Sequence, residues 1–158
     1  MKIQFDLLNN AADSINQAIV LLAWRDEPND ARRLKQSVLA IAHGVELLLK
    51  ERLRRVHPVL VWENVDKFPS LRARTVSVDT ALSRLVNIGG LDIPEQDFEM
   101  IRSLRDTRNA IEHYSWSTTK SEVEQIVGQA LGFALHFAQD ELAYEFFGYG
   151  TRKDDTFK

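Results

Sequence analysis

The sequence predicts an all-α fold, an antiparallel bundle of four long helices with one short helix packed against it. Apolar residues recur at helical spacing through most of the chain, and no segment shows the strict apolar and polar alternation of a half-buried strand. The 158 residues are 44% apolar and 27% charged, which suits one domain with a substantial core. We place this single helical domain at residues 1–149.

The first two helices are indicated by their apolar stripes and by the turn between them. The first is predicted over residues 5–24, and its stripe is Leu8, Ala11, Ile15, Ala18, Ile19 and Leu22. The turn at residues 27–30, Glu-Pro-Asn-Asp, ends this helix and caps the next. The second helix carries two apolar rows, one of them interrupted by Glu46, and must stop before Pro58 because proline disfavours helical backbone at the residue before it.

An irregular crossover at residues 56–77 separates the second helix from the third. Thr75 or Ser77 is expected to cap the short third helix, which extends to about Asn87. The pair Gly89-Gly90 then breaks the helix.

The last two helices follow from their starting residues. Pro94 suits the first turn of a fourth helix, predicted to run to about Tyr114. Ser121 is the expected cap of the fifth, whose apolar stripe continues to Phe146. The polar, charged segment 150–158 is expected to be a frayed tail.

The composition excludes several classes of function. Without cysteine the chain has no thiolate nucleophile and no cysteine zinc site. The sequence contains neither a glycine-rich phosphate loop nor a cluster of metal ligands, so we expect no metal and no cofactor. It shows no signal peptide and no apolar run long enough to span a bilayer, which favours a cytoplasmic protein without a membrane partner.

Charge limits the partners. Because the net charge of the chain is −3, a polyanionic ligand could bind only at a local basic patch. Two short basic segments, residues 50–55 and 72–74, are candidates, although such segments are more often solvated faces.

The most informative segment is Arg108-Asn109-Ala110-Ile111-Glu112-His113, in the fourth helix. At 100° per residue, Arg108 points within about 60° of Ile101, Leu104 and Ile111, so it interrupts an apolar stripe. A guanidinium is always charged, and leaving it there costs several kcal/mol unless it is paired or the stripe opens onto a site. We therefore expect Arg108 to be kept for chemistry, with Asn109 and His113 four residues apart on one shoulder of the helix.

Spacing alone is a weak signal. A second arginine, Arg52, stands five residues before His57, but this pair lies at a helix end with no interrupted stripe. We interpret the second pair as coincidental.

Arg108-Asn109 followed by His113, on the penultimate helix of a small all-α bundle, resembles the R-N-x-x-x-H signature of HEPN domains. Segments 46–50, 57–67 and 75–85 resemble a group of uncharacterised bacterial HEPN-like proteins, and the likeness covers residues 35–116. The resemblance implies a dimer and a metal-independent endoribonuclease of the kind used in toxin-antitoxin and phage-defence systems. It leaves open a HEPN-type module that binds nucleotides or proteins without cutting.

The resemblance also bears on regulation. Paired HEPN toxins are often silenced by a nucleotidyltransferase-type antitoxin that adenylylates the tyrosine of R-x-x-x-x-H-x-Y. Here Tyr114 directly follows His113, and Ser115 occupies the place of that tyrosine. This departure argues against regulation by adenylylation, and Tyr114 is retained as a supporting site residue.

The chemistry of metal-free RNA cleavage assigns roles to these side chains. The reaction removes the 2′-hydroxyl proton, stabilises charge on the phosphorane oxygens and protonates the leaving 5′-oxygen. His113 suits the proton steps because imidazole titrates near neutral pH. Arg108 would bind the phosphate oxygens bidentately, and Asn109 would orient the substrate or His113.

One chain supplies only one histidine of this kind. We therefore expect a homodimer that places two copies of Arg108 and His113 around one RNA-binding cleft. Glu46 either holds Arg108 through a charge-assisted hydrogen bond or lies at the wet margin of its own apolar row.

Overall fold

The chain folds into five α-helices in a computed structural model that describes residues 1–23 and 31–146. The helices are α1 (Leu7–Ala23), α2 (Ala31–Val56), α3 (Val78–Asn87), α4 (Glu95–His113) and α5 (Lys120–Leu142). The predicted all-α architecture of four long helices and one short helix is confirmed, and the described residues contain no strand. The predicted turn at residues 27–30 and the predicted tail at 150–158 lie outside the described residues.

The long helices alternate in direction along the chain, with α2 in contact with each of the other four. Arg33, near the start of α2, donates a hydrogen bond to the carbonyl of Leu21 near the end of α1, so these two helices are antiparallel. Arg52, near the end of α2, pairs with Glu141 near the end of α5 at 3.2 Å, so α2 and α5 run parallel. The loop before α4 lies against the last turns of α5, so α4 is antiparallel to α5.

The predicted start of α3 is confirmed, and the predicted start of α4 is displaced by one residue. Ser77, one of the two expected caps of α3, accepts a hydrogen bond from the Thr80 amide at 3.2 Å. Pro94 is the N-cap of α4 rather than part of its first turn. The residue that caps a helix has non-helical backbone, and Pro94 has ψ of 147°.

The predicted cap of α5 is wrong. Thr119, not Ser121, caps the helix, because its hydroxyl accepts from the Glu122 amide while the Glu122 carboxylate accepts from the Thr119 amide. This reciprocal pair is a capping box, and it starts α5 at Lys120. The helix ends at Leu142, so Phe146, predicted to continue its stripe, lies beyond the helix and packs against Tyr144.

The crossover between α2 and α3 is fixed by hydrogen bonds. The guanidinium of Arg84 on α3 donates to the carbonyls of Leu60, Trp62 and Glu63. The buried ammonium of Lys50 donates to the hydroxyl of Thr75 at 2.8 Å. These bonds hold the start of α3 against α2, beside the middle of α4.

None of the described helices is long and apolar enough to cross a membrane.

The helices α1 and α2 approach each other closely at Gly44. A Cβ added at this glycine would lie 2.5 Å from Cγ1 of the fully buried Ile15 and 3.4 Å from the Ala11 carbonyl oxygen. Real Cβ atoms do not approach other atoms so closely, so Ile15 would have to move within a packed core. The missing side chain of Gly44 therefore sets the distance between the two helices.

Replacing Gly44 with alanine is expected to destabilise the fold by about 1–2 kcal/mol, since overpacking costs more than the helix gains from alanine. The melting temperature should fall by roughly 3–6 °C. Gly128 on α5 provides the matched control, because no described atom lies within 4 Å of a Cβ added there. Gly128→Ala should raise the melting temperature by a few degrees, and equal behaviour of the two variants would contradict the proposed packing.

Candidate functional site

Arg108 lies at the boundary between the core and the surface of α4. It lines a cleft of about 10 Å³ between α2, α3 and α4, together with the buried side chains of Ile101 and Leu104. The cleft is too small for more than one water molecule. Arg108 itself is half-buried. A half-buried arginine commonly covers apolar surface with its stem while its charged end stays in water.

A second arginine, Arg105, lines the same cleft and differs from Arg108 in its partners. The guanidinium of Arg105 donates to Asp106 on α4, at 2.9 Å from Nη2 to Oδ1, and to Asp79 on α3. The hydrogen bond with Asp106, followed by the charge of Asp79, raises the pKa of Arg105. Within residues 1–23 and 31–146, Arg108 makes no hydrogen bond and no ion pair. Of the two cations, only Arg108 remains available to an anionic ligand.

Glu46 lines this cleft as well, but it pairs with a different cation. Its Oε2 atom lies 3.6 Å from the Nζ atom of Lys50, one turn along α2. The side chain of Glu46 is 17% exposed, and in the described part of the chain it makes no hydrogen bond to Arg108. The charge of Glu46 is thus matched by Lys50, and the direct Arg108–Glu46 hydrogen bond considered above is not formed.

The other motif residues are exposed at the end of α4. His113 is the last residue of the helix, its side chain is 74% exposed, and its Nε2 atom lies 3.7 Å from the Glu112 carboxylate. Asn109 is exposed, and Tyr114, which follows the helix, is 92% exposed. All three side chains are accessible to a ligand or to a second chain.

The structure does not bring Arg108 and His113 together within one chain. Five residues on a helix correspond to a rotation of about 140° and a rise of about 7.5 Å. Arg108 therefore faces α2, whereas His113 projects from the outer side of α4. A ligand that contacts both side chains must reach around the helix end, or the second side chain must come from another copy of the chain.

The outer side of α4 carries a shallow groove of about 520 Å³. Its lining is Glu99, Arg102, Ser103, Asp106, Thr107, Ala110 and Trp116. The short side chains at positions 103, 107 and 110 leave the helix backbone accessible to a close neighbour. We call these seven residues the outer groove of α4. On a helical projection His113 lies within about 60° of Ala110, so it stands beside the outer groove.

The second arginine and histidine pair, Arg52 and His57, makes only structural contacts in the described part of the chain. Arg52 is bound to Glu141, and the Nδ1 atom of His57 accepts a hydrogen bond from the Val59 amide at 3.1 Å. In the basic segment 50–55, Arg54 and Arg55 share the buried Glu51, and Lys50 pairs with Glu46 outside the segment, so each cation of this candidate patch already has a carboxylate partner.

Within the described ranges, no three histidine or carboxylate side chains are arranged to hold a metal ion.

No family model, no curated protein and no solved structure matches this chain. The resemblance to HEPN domains therefore depends on the motif residues themselves.

The contrast between the two arginines predicts different effects on stability. Arg108→Met keeps the length of the stem and removes a charge that has no carboxylate partner in the described structure, so the melting temperature should equal or exceed that of the unchanged protein. Arg105→Met leaves Asp106 without its partner and leaves Asp79 with Arg102 at 3.6 Å, and should lower it, although pairs this exposed contribute only up to about 1 kcal/mol each. Thermal melts of both variants provide the measurement.

A double variant tests whether Glu46 supports Arg108. If the two side chains act independently, the stability changes of Arg108→Met and Glu46→Gln should add within about 0.5 kcal/mol. A large loss in Arg108→Met that Glu46→Gln rescues would instead reveal an energetic pair and assign a structural role to the arginine.

Proposed function

We propose that the chain is a metal-independent endoribonuclease of the HEPN type that cleaves RNA through attack of the 2′-hydroxyl. The observation that supports this proposal most directly is the half-buried Arg108, which has no carboxylate partner among the described residues while Arg105 beside it has two. A cation held at such a place without a counterion is suited to bind a phosphate.

The proposed reaction uses two copies of His113. One imidazole accepts the 2′-hydroxyl proton, the 2′-oxygen attacks phosphorus, and the bond from phosphorus to the 5′-oxygen breaks. A second, protonated imidazole gives its proton to the departing 5′-oxygen. The products are a 2′,3′-cyclic phosphate and a 5′-hydroxyl, while Arg108 compensates the charge on the phosphorane oxygens and Asn109 orients the substrate or an imidazole.

A homodimer would supply the second histidine. Two-fold packing along the outer groove of α4 would bring two exposed His113 side chains together, and the short residues of the groove would allow the helices to approach. Arg108 would then contact the phosphate from the edge of its cleft. Tyr114, exposed beside His113, would lie at the rim of the same site.

The cellular setting follows from the resemblance and not from geometry. We propose a cytoplasmic toxin or phage-defence component, with a nucleotidyltransferase-type protein as a candidate antitoxin. Since Ser115 replaces the tyrosine of R-x-x-x-x-H-x-Y, such an antitoxin would act by a route other than adenylylation of that position.

A HEPN-type module that binds nucleotides or proteins without cutting is the second candidate. Arg108 and His113 project from different sides of α4. If the chain is monomeric, this arrangement favours the binding module, because a monomer offers an anion-binding arginine without a pair of histidines. The oligomeric state therefore distinguishes the two candidates.

Sedimentation velocity at micromolar concentration should show a particle of twice 18.1 kDa. Ala110→Glu places two carboxylates against each other in the proposed interface and should shift the protein toward monomer. Gln129→Glu adds the same charge to an exposed position on α5 and should leave the dimer intact. A strict monomer, or a dimer that Ala110→Glu does not affect, would eliminate the composite site.

Purified protein is expected to cleave single-stranded RNA in EDTA and to leave 2′,3′-cyclic phosphate ends, whereas His113→Ala should lose cleavage. Mixing the unchanged protein with excess His113→Ala provides an internal control. If each chain acted alone, the cleavage activity would stay proportional to the amount of unchanged protein. If two chains share one site, the activity falls further, because each mixed dimer contains only one copy of His113. Cleavage that requires magnesium would refute the mechanism, and intact RNA under all conditions would favour the binding module.

A further inference from the structure

A cavity of about 660 Å³ opens where α2 and α5 begin and where the loop from α4 arrives. Its floor is apolar, because the buried side chains of Leu34 on α2 and Val123 on α5 contribute to its lining. The half-buried indole of Trp116, in the loop after His113, forms part of the wall. We call this space the Trp116 cavity.

The rim of the Trp116 cavity is cationic. Among the residues that the structure describes, Arg32, Lys35 and Lys120 contribute to its lining, and no aspartate or glutamate does so. This concentration of positive charge occurs in a chain whose net charge is −3. Exposed cations around an apolar floor attract a ligand that combines an anionic group with a flat, weakly polar body.

A second cavity, at the other end of α5, has a lining of the opposite charge. The cavity between the last turns of α5 and the loop before α4 has a volume of about 370 Å³. Within residues 1–23 and 31–146, its lining contains Asp92, Asp97, Asp140 and Glu141, and no lysine or arginine. A polyanion would be repelled there, at the end of the bundle opposite the Trp116 cavity.

We propose that the Trp116 cavity binds one nucleotide of a single-stranded RNA. The base stacks on the indole of Trp116, and Arg32 and Lys35 hold the adjoining phosphate. Aromatic side chains and cations are the two elements that single-strand binding sites combine, because every base has a stacking face and every linkage carries a charge.

The position of Trp116 favours a strand over a free mononucleotide. Trp116 lines both this cavity and the outer groove of α4, so the two surfaces are continuous. It follows His113 by three residues, which limits the distance between their Cα atoms to about 11 Å. In this respect the inference rests on the proposed function: the nucleotide in the Trp116 cavity is a neighbour of the linkage that His113 would cleave.

Binding is measured separately from cleavage. The probe is a fluorescein-labelled, eight-nucleotide oligouridine in which every ribose is 2′-O-methylated, so attack by the 2′-oxygen is blocked, and the readout is fluorescence anisotropy in EDTA. Trp116→Ala should raise the Kd about 5- to 100-fold through lost stacking. Trp116→Phe keeps an aromatic ring and should restore most of the affinity, which separates stacking from a packing defect.

The contribution of the cations is read from the salt dependence. Two phosphate contacts on a single strand change the slope of log K against log salt by about 1.4, so Arg32→Gln with Lys35→Gln should reduce the slope by that amount. Lys67→Gln with Arg72→Gln removes the same charge from exposed residues of the crossover, which lies near the other end of α2. This control should leave the slope unchanged.

Several outcomes would overturn the inference. An unchanged Kd in folded Trp116→Ala would refute it. An unchanged slope in the Arg32→Gln, Lys35→Gln variant would also refute it, as would equal slope losses in that variant and in the Lys67→Gln, Arg72→Gln control. Uridine monophosphate that competes as well as the oligonucleotide would identify a mononucleotide site instead. Failure of the proposed nuclease is distinguishable, because absence of cleavage of unmodified RNA would leave the binding measurements standing.

Discussion

The burial of α2 is the constraint on which the other features depend. This helix contacts the other four, and its buried face includes two charged residues, Lys50 and Glu51. Charges that leave water must be paired, and each finds its partners one turn away on α2 itself: Lys50 with Glu46, and Glu51 with Arg54 and Arg55. Because Glu46 is committed to Lys50, the nearest carboxylate on α2 is not available to neutralise Arg108 across the cleft.

The sequence predicted the helices well and their ends less well. Apolar stripes identified the long helices because the 3.6-residue period is a local property, whereas a capping residue and the Gly89-Gly90 break identified the short α3. The start of α5 was placed two residues late, although the pattern Thr119-Lys-Ser-Glu122 carries the signature of a capping box and could have located it. The close approach at Gly44 could not be predicted, because a glycine inside a helix has no meaning until the neighbouring Ile15 is known.

The candidate site was predictable as a list of residues and not as an arrangement. The interrupted stripe of α4 pointed correctly to a half-buried Arg108, but the pairing of Arg105 with Asp79 joins positions 26 residues apart on different helices. The Trp116 cavity was missed for the same reason. Its cations come from the first turns of α2 and α5, and only the parallel course of these helices brings residues 32–35 close to residues 116–120.

The five-residue spacing between Arg108 and His113 on α4 has a physical consequence. Residues five apart project from different sides of a helix, so Arg108 can share the cleft with α2 while His113 stays at the surface. A site built from one chain would need a four-residue spacing to place both side chains on one face. A five-residue spacing instead suits a site assembled at a two-fold axis, where the outer sides of two helices meet and each arginine reaches the shared phosphate from beside its own core. The side of α4 that carries His113 also leads to Trp116, so an RNA strand that enters such a site would leave it toward the positive end of each bundle.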